Sequence, residues 1–190
     1  MPATPLHYLL AYGVERASRG RLNLPALAVG SVIPDVEVPV LFALGIAGPH
    51  HRLFLHSLFG GLVVGTLVSV ALTIWLYPRI VPYLVPVDPA ELQRRCRPSI
   101  NVLASGLLGV LTHVGVDVTH HEYNPLWYPF SGATVNVFLL FNDVWLAQIV
   151  VHSVFLATGA LVLYRETRRW PTFWRRMLLA SVPVPAAPSP

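Results

Sequence analysis

Long apolar runs separated by arginine-rich segments set the pattern of this chain. A spanning helix needs about 20 mostly apolar residues. Leu58 to Tyr77 supplies twenty without a charge, and Val144 to Tyr164 is interrupted only by Gln148 and His152. Ser99 to Val118 is long enough but carries His113 and Asp117 in its second half. Pro25 to Ala47 is apolar overall, yet holds Pro34, Asp35, Glu37 and Pro39 near its middle. Irregular backbone is tolerated at membrane depth only where protein or a wet cavity surrounds it, so this segment reads as a broken helix facing the bundle interior. The pattern predicts an all-α fold: an integral membrane helical bundle with about four spans, one of them broken.

Shorter elements fill the intervals. Thr4 to Val14 reads as a helix capped by Thr4, with Pro5 in its first turn. Asp88-Pro89-Ala90-Glu91 reads as a helix start, with Asp88 at the N-cap, Pro89 at N1 and Glu91 at N3. It opens a short basic surface helix at the membrane edge. Ser181 to Pro190 is rich in Pro and Ala and is expected to be a disordered tail. Residues 1–180 then form a single membrane-embedded helical domain.

Composition agrees with the membrane reading. Hydrophobic residues make up 54% of the 190 and charged ones 12%, the latter about half the level of soluble domains. Mean hydropathy is +0.59. The net charge is +4 and all 13 basic residues are arginine. Most of them flank apolar runs, so no nucleic-acid partner is expected. Arg16, Arg19 and Arg21 precede the first candidate span, and Arg79, Arg94, Arg95 and Arg97 lie between the second and third. Arg165, Arg168, Arg169, Arg175 and Arg176 follow the fourth, while the two remaining loops hold only Arg52. With four spans this asymmetry places both termini in the cytoplasm and the Thr119 to Asp143 loop outside. Cys96 is the single cysteine, which excludes an intramolecular disulfide and a cysteine-rich metal site. The N-terminus lacks the pattern of a cleaved leader.

Ionisable residues inside spans are costly and mark functional sites by default. Four concentrations stand out: His7; Asp35 with Glu37; His50, His51 and His56; and His113, Asp117, His120 and His121. The fourth is the most specific. His113 and Asp117 are four apart and share one helix face, which His120 and His121 extend. Imidazole and carboxylate one turn apart can grip one ion of zinc, iron or manganese. The alternative is a polar pair hydrogen-bonding between helices. His51 and His56 diverge on a regular helix, and a bend would bring them together; the alternative is an interfacial pair. Asp35 follows Pro34, so it either caps a half-helix or meets a metal or histidine. His7 alone reads equally as a surface histidine. His152 has no acidic neighbour in its span and suits a hydrogen-bonding role. Glu37, Glu122 and Asp143 are candidates to support ligands rather than to be ligands. Cys96 has no histidine nearby, and no serine elbow, phosphate loop or dinucleotide fingerprint is present.

Four blocks of the chain resemble the membrane-bound, metal-dependent hydrolases, a family also labelled LexA-binding, inner-membrane-associated hydrolases. Met1 to His7 is similar to the family's start, and Gly30-Ser31-Val32-Ile33-Pro34-Asp35 to its Gly-x-x-x-Pro-Asp block. His51-Arg52-x-x-x-His56-Ser57 matches the spacing of its His-Arg-Gly-x-Thr-His-Ser block, with Leu53 and Leu55 in place of Gly and Thr. Gly109-x-x-x-His113-x-x-x-Asp117-x-Thr119, followed by Leu126 to Phe130, resembles its last block. Glu37 stands where the family has Asp. The likeness covers about residues 1–132, and its His-x-x-x-Asp block is similar to one in zinc-dependent phospholipase C.

The resemblance implies a hydrolytic metal site with His7, Asp35, His56, His113 and Asp117 as ligands, and His51, His120 and His121 as second choices. Asp35, His113 and Asp117 would carry catalysis. The expected cofactor is a divalent ion, zinc first, which supplies activated water at neutral pH. The expected substrate is a phosphoester, a membrane lipid among the candidates, at a prokaryotic cytoplasmic membrane. Two other classes stay open: a metal or proton transporter, and a partner-binding membrane protein with a structural metal site. His7 starts on the cytoplasmic side of a four-span topology. It joins the others only if the N-terminal helix inserts or if Pro25 to Ala47 does not span fully.

Overall fold

The computed structural model describes residues 6–46, 52–138 and 142–179, and no strand occurs among them. The Thr4 cap, His50, His51 and the Ser181 to Pro190 segment lie outside the described residues. The chain runs through α1 (His7–Ala17), α2 (Leu24–Gly30), α3 (Ile33–Ala43), a π-type turn (Gly60–Gly65) that leads into α4 (Thr66–Trp75), α5 (Tyr77–Leu84), α6 (Pro89–Arg95), α7 (Ile100–Asp117), α8 (Val144–Thr167) and α9 (Phe173–Leu178).

Side-chain caps fix where several helices start. Asn23 Oδ1 accepts from the Ala26 N–H with Pro25 in the first turn, and Ser99 and Asp143 cap α7 and α8 by accepting from Val102 and Leu146. Asp88 caps α6, accepting from Ala90. Glu91 sits at N3 as its sequence position predicts but does not close a capping box. Its carboxylate takes a bidentate pair from Arg175 at 2.7–3.0 Å, which ties α6 to α9.

Among the described residues three helical stretches are long and apolar enough to cross a membrane: Leu24–Ala43, Ile100–Asp117 and Val144–Thr167. A fourth is the pair Gly60–Trp75 and Tyr77–Leu84, bent by 58°. The sharpest break therefore falls in the second span and not in the first. Pro78 explains it, since the proline has no N–H for the Ile74 carbonyl four residues back and its ring crowds that carbonyl. Leu24–Ala43 is interrupted only by the short turn between α2 and α3. α8 buries just Ala147, Val151 and Glu166, and Trp145 and Ile149 face outward, as a helix against lipid does.

The tightest packing joins α2 to α7. A Cβ on Gly30 would lie 2.3 Å from the Gly106 carbonyl oxygen, and one on Gly109 would lie 2.4 Å from the Leu27 carbonyl oxygen. Small residues let two membrane helices touch backbone to backbone. α1 runs parallel to α8: Leu9 meets Gly159, and further along both helices the Tyr12 hydroxyl donates to Glu166 at 2.7 Å. The arginine-bearing segments gather at one end. Asn23 Nδ2 donates to the Arg95 carbonyl, Asn101 Nδ2 to the Arg21 carbonyl, and Arg176 pairs with Glu166 at 2.5 Å.

Gly109→Ala should therefore lower stability by about 1–3 kcal/mol, the cost of overpacking a fitted contact. Gly13→Ala, where an added Cβ meets nothing within 4 Å, should be neutral or stabilising by up to about 1 kcal/mol. Thermal unfolding in detergent compares the two; equal midpoints would contradict the assigned α2–α7 contact.

Candidate metal centre

The site is built where the second half of α7 faces α2, α3, α1 and the segment before the π-type turn. His113 and Asp117 project from one face of α7. The α2–α7 contact brings the Ser31 carbonyl to His113 Nδ1, at 2.8 Å. Donation of Nδ1–H to that carbonyl leaves the Nε2 lone pair facing Asp117 Oδ2 at 3.2 Å and Asp35 Oδ1 at 3.6 Å. Pro34 starts α3, so Asp35 falls in its first turn, aimed at the same point.

His56 arrives by a different device. The Glu37 carboxylate, two residues beyond Asp35, accepts the backbone N–H groups of Leu53, Phe54 and Leu55 at 2.6–3.1 Å. It also takes His56 Nδ1 at 3.0 Å. A whole turn of backbone is thus moulded on one carboxylate. His56 Nε2 is left 3.7 Å from Asp35 Oδ1 and 3.7 Å from Asp117 Oδ2. The longer reach of Glu37 holds His56 from outside the cluster, and the backbone at Leu53 and Leu55 supplies contacts that their side chains do not.

His7 comes from α1. Its ring stacks on His113 with centroids 4.0 Å apart, and Nε2 lies 3.6 Å from Asp117 Oδ1. α1 thus lies along α8 with its first residue at the depth of the cluster. His121 Nε2 is 3.7 Å from the same Oδ1. The turn after α7 brings His120 alongside, its ring 4.1 Å from that of His121. Its Nδ1–H donates to the Val116 carbonyl at 2.9 Å.

Three overlapping triads result: His7, His113 and Asp117; Asp35, His56 and His113; Asp117, His120 and His121. Within each, one ligand atom per residue lies within 4.8 Å of the others, and all are buried. The Nε2 atoms of all five histidines, both oxygens of Asp117 and Oδ2 of Asp35 are buried without a hydrogen bond. Orphaned polar atoms in such number are costly. Their spacing is informative: charge-assisted hydrogen bonds run at about 2.7–2.9 Å, while the edge of a tetrahedron of donors around zinc is about 3.4 Å. The 3.2–3.7 Å imidazole–carboxylate separations match the second. The residues present fit a divalent ion.

Arg52 is a residue to which the sequence reading gave no role in the site. It is 4% exposed, and its Nη1 lies 2.9 Å from Asp117 Oδ2, close enough to pair though not aligned as a hydrogen bond. Its signal was its place in the His-Arg-x-x-x-His block and its isolation in loops otherwise free of arginine. Other candidates stand apart. His152 donates Nδ1–H to the Gln148 carbonyl and packs edge-on against the His120 ring. Glu122 is exposed, and Asp143 caps α8. Cys96 packs with Leu92 and Leu179, where burial pushes its thiol up to about 12.

Fold and cluster define an α-helical membrane protein with a buried histidine–aspartate centre. The chain belongs to the YdjM inner membrane protein family, which it matches over residues 4–185. No curated protein and no solved structure gives a significant match.

Outside the spanning helices, burial pulls His121 down to about 2, with the Arg52 guanidinium adding to it, and burial lowers His120 as well. His56 goes the other way, raised by Asp35 and Glu37 against its burial. An imidazole lowered in the folded state contributes stability present above the ordinary value of about 6.5 and lost as pH falls through it. A raised one contributes in the opposite sense. With two lowered against one raised, metal-stripped protein should lose stability from about pH 7 to pH 5. Unfolding midpoints after chelation measure this, and His121→Asn should flatten the dependence. A midpoint that rises over that interval would show that His56 dominates.

Proposed function

We propose that this chain is a membrane-embedded, metal-dependent hydrolase of a phosphoester. The observation that carries the reading is the convergence of the buried Nε2 atoms of His7, His56, His113 and His121 on two carboxylates at ligand-edge spacing, without hydrogen-bond partners. Asp117 divides the donors. Its Oδ2 groups with Asp35, His56 and His113, and its Oδ1 with His7 and His121, with His120 beside them. Each set mixes neutral imidazole and carboxylate, which suits zinc. Two divalent ions, zinc first, would be held here, one by Asp35, His56 and His113 and one by His7, His120 and His121, with Asp117 within reach of both sets. A bound ion of this kind lowers the pKa of water to about 7 and makes a nucleophile available at neutral pH.

The protein's own groups supply the rest. Ser31 and Glu37 fix the ring orientation and tautomer of His113 and His56, the role of outer partners in metal sites. Arg52 is the cation that faces the cluster, and a guanidinium suits an anionic phosphoryl oxygen. Substrate reaches the site from the side of residues 52–59 and 118–138, where His121 keeps the largest side-chain exposure of the cluster, 10%. A phosphoester on a membrane lipid fits a centre at this depth. The arginine-rich end faces the cytoplasm of a prokaryotic cell by the positive-inside rule, which puts the end of α9 there. Leu6, the first described residue, lies beside His7 at the level of the cluster.

Elemental analysis of purified, zinc-replete protein should give two ions per chain. Asp117→Asn should lose both and His121→Ala one, with helix content unchanged by circular dichroism. Phosphoester turnover should fall on the order of 100-fold or more in Asp117→Asn. His152→Ala should keep metal and turnover, and Arg52→Gln should keep metal while raising KM for anionic substrates. Full metal content in Asp117→Asn would defeat the assignment. Tight metal binding with no cleavage across a broad phosphoester screen would defeat the hydrolase reading.

A further inference from the structure

At the arginine-rich end, α1 and α8 separate below the Leu9–Gly159 contact and leave a groove of about 350 Å³. Its floor is Leu9, Gly13 and Val162, and its rim carries Arg16, Arg165, Arg169 and Arg176. The groove continues along the same helix pair into a second recess of about 140 Å³, lined by Leu10, Val154 and Phe155.

The rim is neutralised only in part, with Arg16 3.9 Å from Glu15. Glu166 takes Arg176 at 2.5 Å and lies 3.7 Å from Arg16. Among the described residues Arg165 and Arg169 pair with no carboxylate. They stand four apart at the end of α8, where like charges repel. The neighbouring Arg168 is engaged differently, lying over the Tyr164 ring at 5.2 Å. Tyr164 and Trp170 are 58% and 65% exposed at the same level. Aromatic residues so placed mark the headgroup layer of a membrane.

We propose that this groove binds an anionic phospholipid, its phosphodiester between Arg165 and Arg169 and one acyl chain along Leu9, Val162 and Phe155. Basic recesses between membrane helices on the cytoplasmic side bind anionic headgroups. The apolar floor selects a lipid over a free phosphate, because it continues toward the hydrocarbon where only a chain can follow. The site is independent of the metal centre and of the hydrolase reading.

The full chain in phosphatidylcholine nanodiscs, doped with spin-labelled phosphatidylglycerol or spin-labelled phosphatidylcholine, tests this. Each arginine near an anionic membrane surface is worth roughly a factor of five, so the anionic label should be preferred on the order of tenfold. The double variant Arg165→Gln/Arg169→Gln should bring the preference to near parity. Gly13→Leu, placed where a Cβ meets nothing within 4 Å, should fill the groove and remove the immobilised label without disturbing α1. Arg168→Gln should leave the preference intact, and excess inorganic phosphate should not displace the label. No preference in the native protein would overturn the site, as would a preference that survives both groove variants. Loss in Arg168→Gln as large as in the double variant would mean a diffuse positive surface and no groove. Displacement by phosphate would mean an anion site without a chain.

Discussion

The close backbone approach of α2 to α7 at Gly30, Gly106 and Gly109 governs the geometry of the cluster. Apolar side chains give two helices in lipid little reason to associate, so the association rests on close packing and on polar contacts between them. Glycine supplies the first. It also brings the Ser31 carbonyl into reach of His113, which fixes that ring, and α3 then delivers Asp35 to the other ring nitrogen. A contact that any Cβ would block thus orients His113 and places Asp35 beside it.

The polar groups bear out the cost of burial at membrane depth. Several elsewhere in the bundle are satisfied within the protein: Ser69 and Thr73 donate to carbonyls one turn back, and Glu166 is shared by Tyr12 and Arg176. At the centre the imidazole Nε2 atoms and the Asp117 oxygens have no such partner. Two regimes coexist in one bundle, and the second is the signature of a site that something else completes.

Much of this was legible in the chain. The uncharged runs announced the spans, and the four-residue spacing of His113 and Asp117 announced a shared face. What was not legible depended on distance in sequence. From its own surroundings His7 reads as a surface histidine, and only the family resemblance grouped it with the others, because no local pattern announces the docking of α1 beside α8. Arg52 looked like a loop charge, since nothing in its spacing shows that its segment folds over Asp117. The bend at Leu76 was carried by Pro78, inside a run that was read for hydrophobicity instead of backbone chemistry. Glu91 kept its expected position but found a stronger partner in Arg175, because a bidentate ion pair outweighs a neutral cap bond.

The central claim is that the buried cluster is a two-ion metal centre joined by Asp117. X-ray absorption at the zinc edge, on the full chain reconstituted with zinc, tests it most directly. The account predicts nitrogen and oxygen ligands at about 2.0–2.2 Å with multiple imidazole scattering, and a metal–metal vector of about 3.5–4 Å. Folded protein that takes up no stoichiometric metal, or a spectrum of water-coordinated zinc without imidazole, would contradict it.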